Sequence, residues 1–135
     1  MTEAVIDLLS NTEAIAVNQA YHDHPGWLVR TSNTTFTTTV YHGASCDIKD
    51  PPSELPSWQV WAKALSKQTV AVLVANYDPA TGLSTTLTPS DLGFSSAQTI
   101  STARDVWAHA GLPAASALSF HLGARSSAFR VLSVV

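Results

Sequence analysis

Residues 22 to 24 read His-Asp-His, two imidazoles flanking a carboxylate, in a chain with five histidines and ten acidic residues. Side chains of these types can ligate a metal ion or move a proton. Histidines at i and i+2 share one face of a strand, and they form a metal site only where a third ligand converges on them. No such ligand is identifiable from the sequence. Pro25-Gly26 follows at once, so the triplet reads as a solvated junction between two structural elements, and no metal or cofactor is assigned to the chain.

The second set of residues with chemistry to offer is aromatic. Stacking of an indole on the apolar face of a sugar ring is the usual basis of carbohydrate binding, which makes Trp27, Trp58, Trp61 and Trp107 the candidates for holding a carbohydrate ligand. Burial is the commoner fate of so large a ring. Trp27 and Trp58 stand at strand starts beside loops, where an exposed platform is more credible. Trp61 and Trp107 lie inside the runs VWAK and DVWAH and read as packing residues, largely buried. His109 and His121 read as polar strand positions.

The elements that must position these residues follow from composition and pattern. At 135 residues the chain is one domain at most, long enough to bury a core. Its seven Lys and Arg are scattered and its net charge is −3, so no basic surface for nucleic acid is expected. The longest apolar run, residues 70 to 75, is far too short for a membrane span, and the amino terminus lacks the basic region of a secretory signal. One cysteine, Cys46, excludes an intrachain disulfide.

Residues 3 to about 20 have helical spacing in Ala4, Val5, Leu8 and Leu9. Ser10-Asn11-Thr12-Glu13 matches a capping box that opens a second helix with Ser10 as its cap. From Gly26 onward the pattern is that of strands: 34–41, 58–65, 69–76, 83–88, 99–107, 117–122 and 128–135, separated by turn signals. DPPSELP, residues 50 to 56, reads as a proline-rich loop. The unbroken apolar run around Val70, Val72, Leu73 and Val74 predicts a central strand covered on both faces. The whole predicts a mainly β protein, an antiparallel Greek-key β-sandwich with a short N-terminal helical segment. The division is a helical lead at 1–25 and a sandwich domain at 26–135.

The blocks SNTEAIAVNQ, QVWAKALSKQTVAVLVAN, SDLGF, ARDVWAH and SAFRVLSV, in that order, resemble the C-terminal portion of glycoside hydrolase family 27, the α-galactosidases and α-N-acetylgalactosaminidases. The resemblance is close at residues 6 to 19 and 58 to 135 and absent at about 31 to 57. It implies that Asn11 to Gln19 correspond to the last helix of a catalytic (β/α)8 barrel and Trp58 to Val135 to the sandwich that follows it. In that family the helix ending in Asn-Gln is usually followed by an aspartate. Here Ala20 stands in its place, and His-Asp-His-Pro-Gly supplies the turn.

Enzymes of that family hydrolyse α-galactosides with retention, which requires two carboxyls about 5 to 5.5 Å apart. The resemblance places both in the barrel, and no stretch of this chain resembles the motifs that carry them. Asp47, Asp50 and Glu54 fall in a loop, Asp78 and Asp91 in turns, Asp105 in a strand, with no spacing that pairs two of them. The expectation is a non-catalytic accessory module whose partner is a (β/α)8 barrel. The alternative is a stand-alone carbohydrate- or small-molecule-binding module. A further expectation is that the N-terminal segment either folds back over the sandwich or self-associates, most simply as a homodimer, because Ile6, Leu9, Ile15 and Val17 would lack part of a barrel's cover. Asn33-Thr34-Thr35 matches a glycosylation acceptor, which gains meaning if the parent is of secreted or lysosomal type.

Overall fold

The computed structural model describes residues 3–42 and 48–135; Cys46 and Asp47 lie outside them. Two short helices open the chain, α1 (Glu3–Leu9) and α2 (Thr12–Gln19). Asn11, rather than Ser10, caps the second. Its Oδ1 accepts the Ala14 amide at 3.0 Å, while the Ser10 hydroxyl donates back to the Ile6 carbonyl at 2.8 Å and closes α1. Asparagine caps as well as serine does. Asn11 also donates through Nδ2 to the buried Val106 carbonyl at 2.9 Å, a reach that serine lacks.

The strands are β1 (Trp27–Thr31), β2 (Thr35–Thr38), β3 (Tyr41–His42), β4 (Ile48–Lys49), β5 (Ser53–Pro56), β6 (Trp58–Ala64), β7 (Thr69–Asn76), β8 (Leu83–Leu87), β9 (Ile100–Asp105), β10 (Ala110–Leu112), β11 (Leu118–Leu122) and β12 (Ser127–Val134). Six form one antiparallel sheet in the order β1-β6-β7-β12-β9-β10, and β11-β8 form a second layer. The chain leaves the large sheet after β7, returns as β9, leaves again after β10 and returns as β12 between β7 and β9. These are the layer crossings of a Greek-key-type sandwich. No helix among the described residues is long and apolar enough to cross a membrane.

One cluster fills the space between the layers: Val60, Val70, Val72, Val74, Ile100 and Leu132 from the large sheet against Leu83, Leu87, Leu118 and Phe120 from the small one. Strand β7 is central, paired along its length with both β6 and β12. Its valines point into this core. Ala71, Leu73 and Ala75 alternate onto the outer face, where the two alanines are buried and Leu73 is half-buried.

Three local expectations are corrected. Residues 53 to 56 of the proline-rich stretch are a strand, β5, paired in antiparallel register with β2 from Thr35↔Pro56 to Thr38↔Ser53. The ribbon has only two strands and Pro56 is at its end, so proline's missing N–H disrupts no central ladder. Strand β9 stops at Asp105, whose Oδ1 accepts the Ala108 amide at 2.9 Å. Trp107 and His109 therefore lie in a turn, His109 with φ of 51°. Trp61 is not buried, for a reason given by its register.

Candidate functional site

Trp61 pairs across strands with Leu73, and Leu73 with Phe129, so the three share the outer face of the large sheet. Trp61 is 40% exposed there. Trp27 and Trp58, the strand-start rings, are instead partly buried against the core cluster. Strand alternation explains the exchange: Trp58 and Trp61 are an odd number of residues apart and so face opposite sides of β6. Trp107 is half-buried, its ring 5.2 Å from Phe129 and its Nε1 donating to Ser127 Oγ at 3.3 Å. The four rings thus do not converge on a single platform, although Trp27 and Trp61 line one groove.

The His-Asp-His triplet lies between α2 and β1. His24 N–H donates to the His22 carbonyl at 2.8 Å, turning the chain tightly about Asp23, whose φ is 62°. Aspartate tolerates that left-handed geometry better than most residues. Gly26, with φ of 137°, then passes so near β6 that a Cβ would stand 2.9 Å from the Ala62 carbonyl oxygen. His24 meets Trp27 edge to face at 5.1 Å. Among the described residues no three His, Cys, Asp or Glu side chains are grouped to hold a metal ion.

The helical lead is tied to the outer face of the large sheet at three places. Asn11 holds Val106, as above. Lys63 Nζ donates to the carbonyls of Val17 and Asn18 at 2.8 and 2.9 Å, neutralising the carbonyl end of α2. Glu13 receives Arg104 as a fork, Nε and Nη2 each at 2.6 Å, and His109 Nδ1 at 2.8 Å. Sequence reading missed this last cluster because its members are 91 and 96 positions apart and carry no local motif.

Arg104 first, and His109 after it, hold the Glu13 carboxyl down from 4.5 to about 2. A carboxyl whose folded value is depressed supports docking fully above its unfolded value and loses that support as pH falls through the folded one. In an NMR titration, the Arg104 Nε–H should therefore shift with a midpoint near 2, and Glu13→Gln should abolish the transition. A midpoint near 4.5, the ordinary value, would mean that the fork does not form in solution.

Three other carboxylates are also engaged. Asp91 receives Arg30 Nη2 at 2.5 Å and the Thr88 amide at 2.8 Å. Asp78 accepts the amides of Ala80 and Thr81. Asp105 stands 3.9 Å from Arg130 Nε.

Beside the docked lead, a groove of about 510 Å³ runs along the outer face, walled by Val17, Trp61, Lys63, Ala71, Leu73 and Phe129. A second, of about 600 Å³, shares Leu73 and extends to Phe36, Leu55, Tyr77 and Arg125. Ile6 and Leu9 of the lead are 51% and 64% exposed, and Ile15 is also exposed, whereas Val17 is buried on the sheet. What the outer side offers is apolar surface, with polar groups mainly at its margins.

Residues 56–132 match the family model of the alpha galactosidase C-terminal beta sandwich domain. No curated protein matches the sequence. Among solved structures, alpha-galactosidase I from Mortierella vinacea is similar with a TM-score of 0.71 and 18% identity, over 98% of this chain and 29% of that one. A GH27 β-L-arabinopyranosidase from Geobacillus stearothermophilus is similar with a TM-score of 0.69 and 22% identity, over 98% of this chain and 24% of that one. The chain thus spans between 24% and 29% of the length of these two enzymes, and at such identities the likeness is one of fold.

Proposed function

Because this chain belongs to the alpha-galactosidase C-terminal β-sandwich domain family, we propose that it is a non-catalytic module that packs against and supports a glycoside hydrolase (β/α)8 barrel. The supporting observation is the apolar outer side. Ile6, Leu9, Ile15 and Trp61 are exposed together with Val5 and Leu8, while Asn11 and α2, which follow α1, are pinned to the sandwich by charged and buried hydrogen bonds. A large apolar side chain contributes roughly 1.5 to 3 kcal/mol when fully buried. An exposed apolar surface of this extent favours a covering partner, and in the absence of a barrel it favours a second copy of the chain.

The test has two arms. The chain alone should leave a chromogenic α-galactoside unhydrolysed, and turnover that disappears on changing a single Asp or Glu would overturn the non-catalytic reading. Sedimentation of the chain alone should show self-association that Ile6→Glu with Leu9→Glu abolishes while the far-UV circular dichroism of the sandwich is retained. A wild-type chain that stays monomeric at all concentrations would remove the argument from the apolar surface.

A further inference from the structure

A third depression, of about 420 Å³, adjoins the second groove at Trp107 and Ser127, at the margin of the sandwich where β9 ends beside β11 and β12. Its volume is within the roughly 300–1,000 Å³ of small-molecule sites, and Asp105, Trp107, His121, Ser127 and Arg130 line it. The Arg130 guanidinium is fixed from two sides. It lies 4.2 Å from the centroid of the fully buried Phe120 ring, and its Nη1 donates to the Ser119 carbonyl at 3.1 Å. Asp105 is fixed as well, through Oδ1 on the Ala108 amide. Yet the two charges stop short of a hydrogen bond. Asp105 Oδ2 stands 3.9 Å from Arg130 Nε, and that Nε is buried with no hydrogen-bond acceptor among the described residues, so it is the outer guanidinium nitrogens that face a ligand.

A held donor group and a held acceptor, side by side and mutually neutralising, favour a particular ligand chemistry. An anion meets Asp105 and a cation meets Arg130. A hydroxyl both donates and accepts, so neighbouring hydroxyls on one ring can take an N–H from the guanidinium and give a proton to the carboxylate. Both side chains retain some exposure, 16% for Arg130 and 21% for Asp105. The adjoining Trp107 indole is held by Phe129 and Ser127 and adds a flat apolar wall. His121, steadied by Ser84 Oγ on Nδ1 at 3.1 Å, adds a polar group from β11. We propose that this depression is a subsite for a neutral sugar, with Trp107 as its platform and the Asp105–Arg130 pair reading adjacent ring hydroxyls. The proposal goes beyond the support role.

The test is NMR titration of the chain with D-galactose, with D-glucose, and with sodium acetate as an anion, following the four tryptophan indole N–H signals. The Trp107 signal should move saturably with at least one of the sugars and stay still with acetate. Asp105→Asn keeps the Oδ1 acceptor for Ala108 but replaces the other oxygen with a donor, and it should weaken sugar binding about tenfold or more. Should that variant lose its dispersed amide spectrum, His121→Ala, at an exposed position, takes its place and should weaken binding several-fold. The proposal is overturned if both sugars leave Trp107 unmoved up to their solubility limits. It is equally overturned if only Trp61 responds, if acetate shifts Trp107 as much, or if the folded variant binds as the wild type does.

Discussion

Phe120→Ala should lower the unfolding free energy by about 3 to 5 kcal/mol, at the upper end of what single substitutions in cores cost. The ring is fully buried and belongs to the cluster in which the small sheet closes over the large one. The β11-β8 layer has only two strands, so few other side chains of that layer can move into the space. The loss also strips the Arg130 guanidinium of the ring that covers it at 4.2 Å, and that cation–π contact contributes on the order of 1 kcal/mol. Against the total stability of about 5 to 15 kcal/mol usual for a domain, the loss of the ring is between about a fifth and the whole of it. Denaturant midpoints with unchanged slope are the measurement. Phe120→Leu, which retains most of the volume, should cost far less. If the alanine variant lost under about 1 kcal/mol, β11 would not be closing the core.

That closure was only partly legible in the sequence. The β7 run TVAVLVAN has the bounds and central place that its apolar continuity implies, because a strand buried on both faces needs apolar residues at every position. The helical lead and strands β6, β9 and β12 of the large sheet were likewise readable from pattern, whereas its two edge strands were not: Trp27–Thr31 falls outside the expected strands, and Ala110–Leu112 reads as a turn. What failed did so where the deciding partner is distant in sequence. Ser53 to Pro56 follows Pro51-Pro52 and ends in proline and so reads as loop, yet Thr35 to Thr38, well upstream, supplies its pairing edge. A capping box was expected at Ser10 to Glu13. Val106 and Arg104, about ninety residues on, instead draw Asn11 into the cap and Glu13 away from it.

The tryptophans show the same limit more sharply. Local context placed Trp61 inside and Trp27 and Trp58 nearer the surface, whereas the outer face of β6 is decided by which side the small sheet covers. No window around Trp61 contains that information. Similarly, Asp105 and Arg130 come together by the register of β9 against β12, in which they are direct partners. Single-residue types were legible, and cross-strand constellations were not.

Asn11 is where the lead and the sandwich are most tightly joined, and its replacement by alanine is the second large effect expected. The side chain is buried, and it performs two tasks at once, accepting from Ala14 and donating to Val106. Losing an N-terminal cap costs about 0.5 to 2 kcal/mol. Leaving the buried Val106 carbonyl without its donor costs about 1 to 3 kcal/mol more. The two together give about 1.5 to 5 kcal/mol, felt first as opening of the lead, and each 1.4 kcal/mol is a factor of ten. Hydrogen exchange of the α2 amides should therefore speed up by more than about tenfold while the amides of β7 keep most of their protection. Asn11→Asp separates the two tasks: it keeps the cap and sets a carboxylate against the Val106 carbonyl, so it should release the lead nearly as well. If the aspartate variant were as protected as the wild type, the cap alone would be holding α2. If β7 lost protection in step with α2, the lead would be an integral part of the sandwich rather than a segment docked upon it. Release of the lead should also uncover Ala71 and Leu73, which line the groove with Val17, and the opened variant should associate more strongly in sedimentation than the wild type.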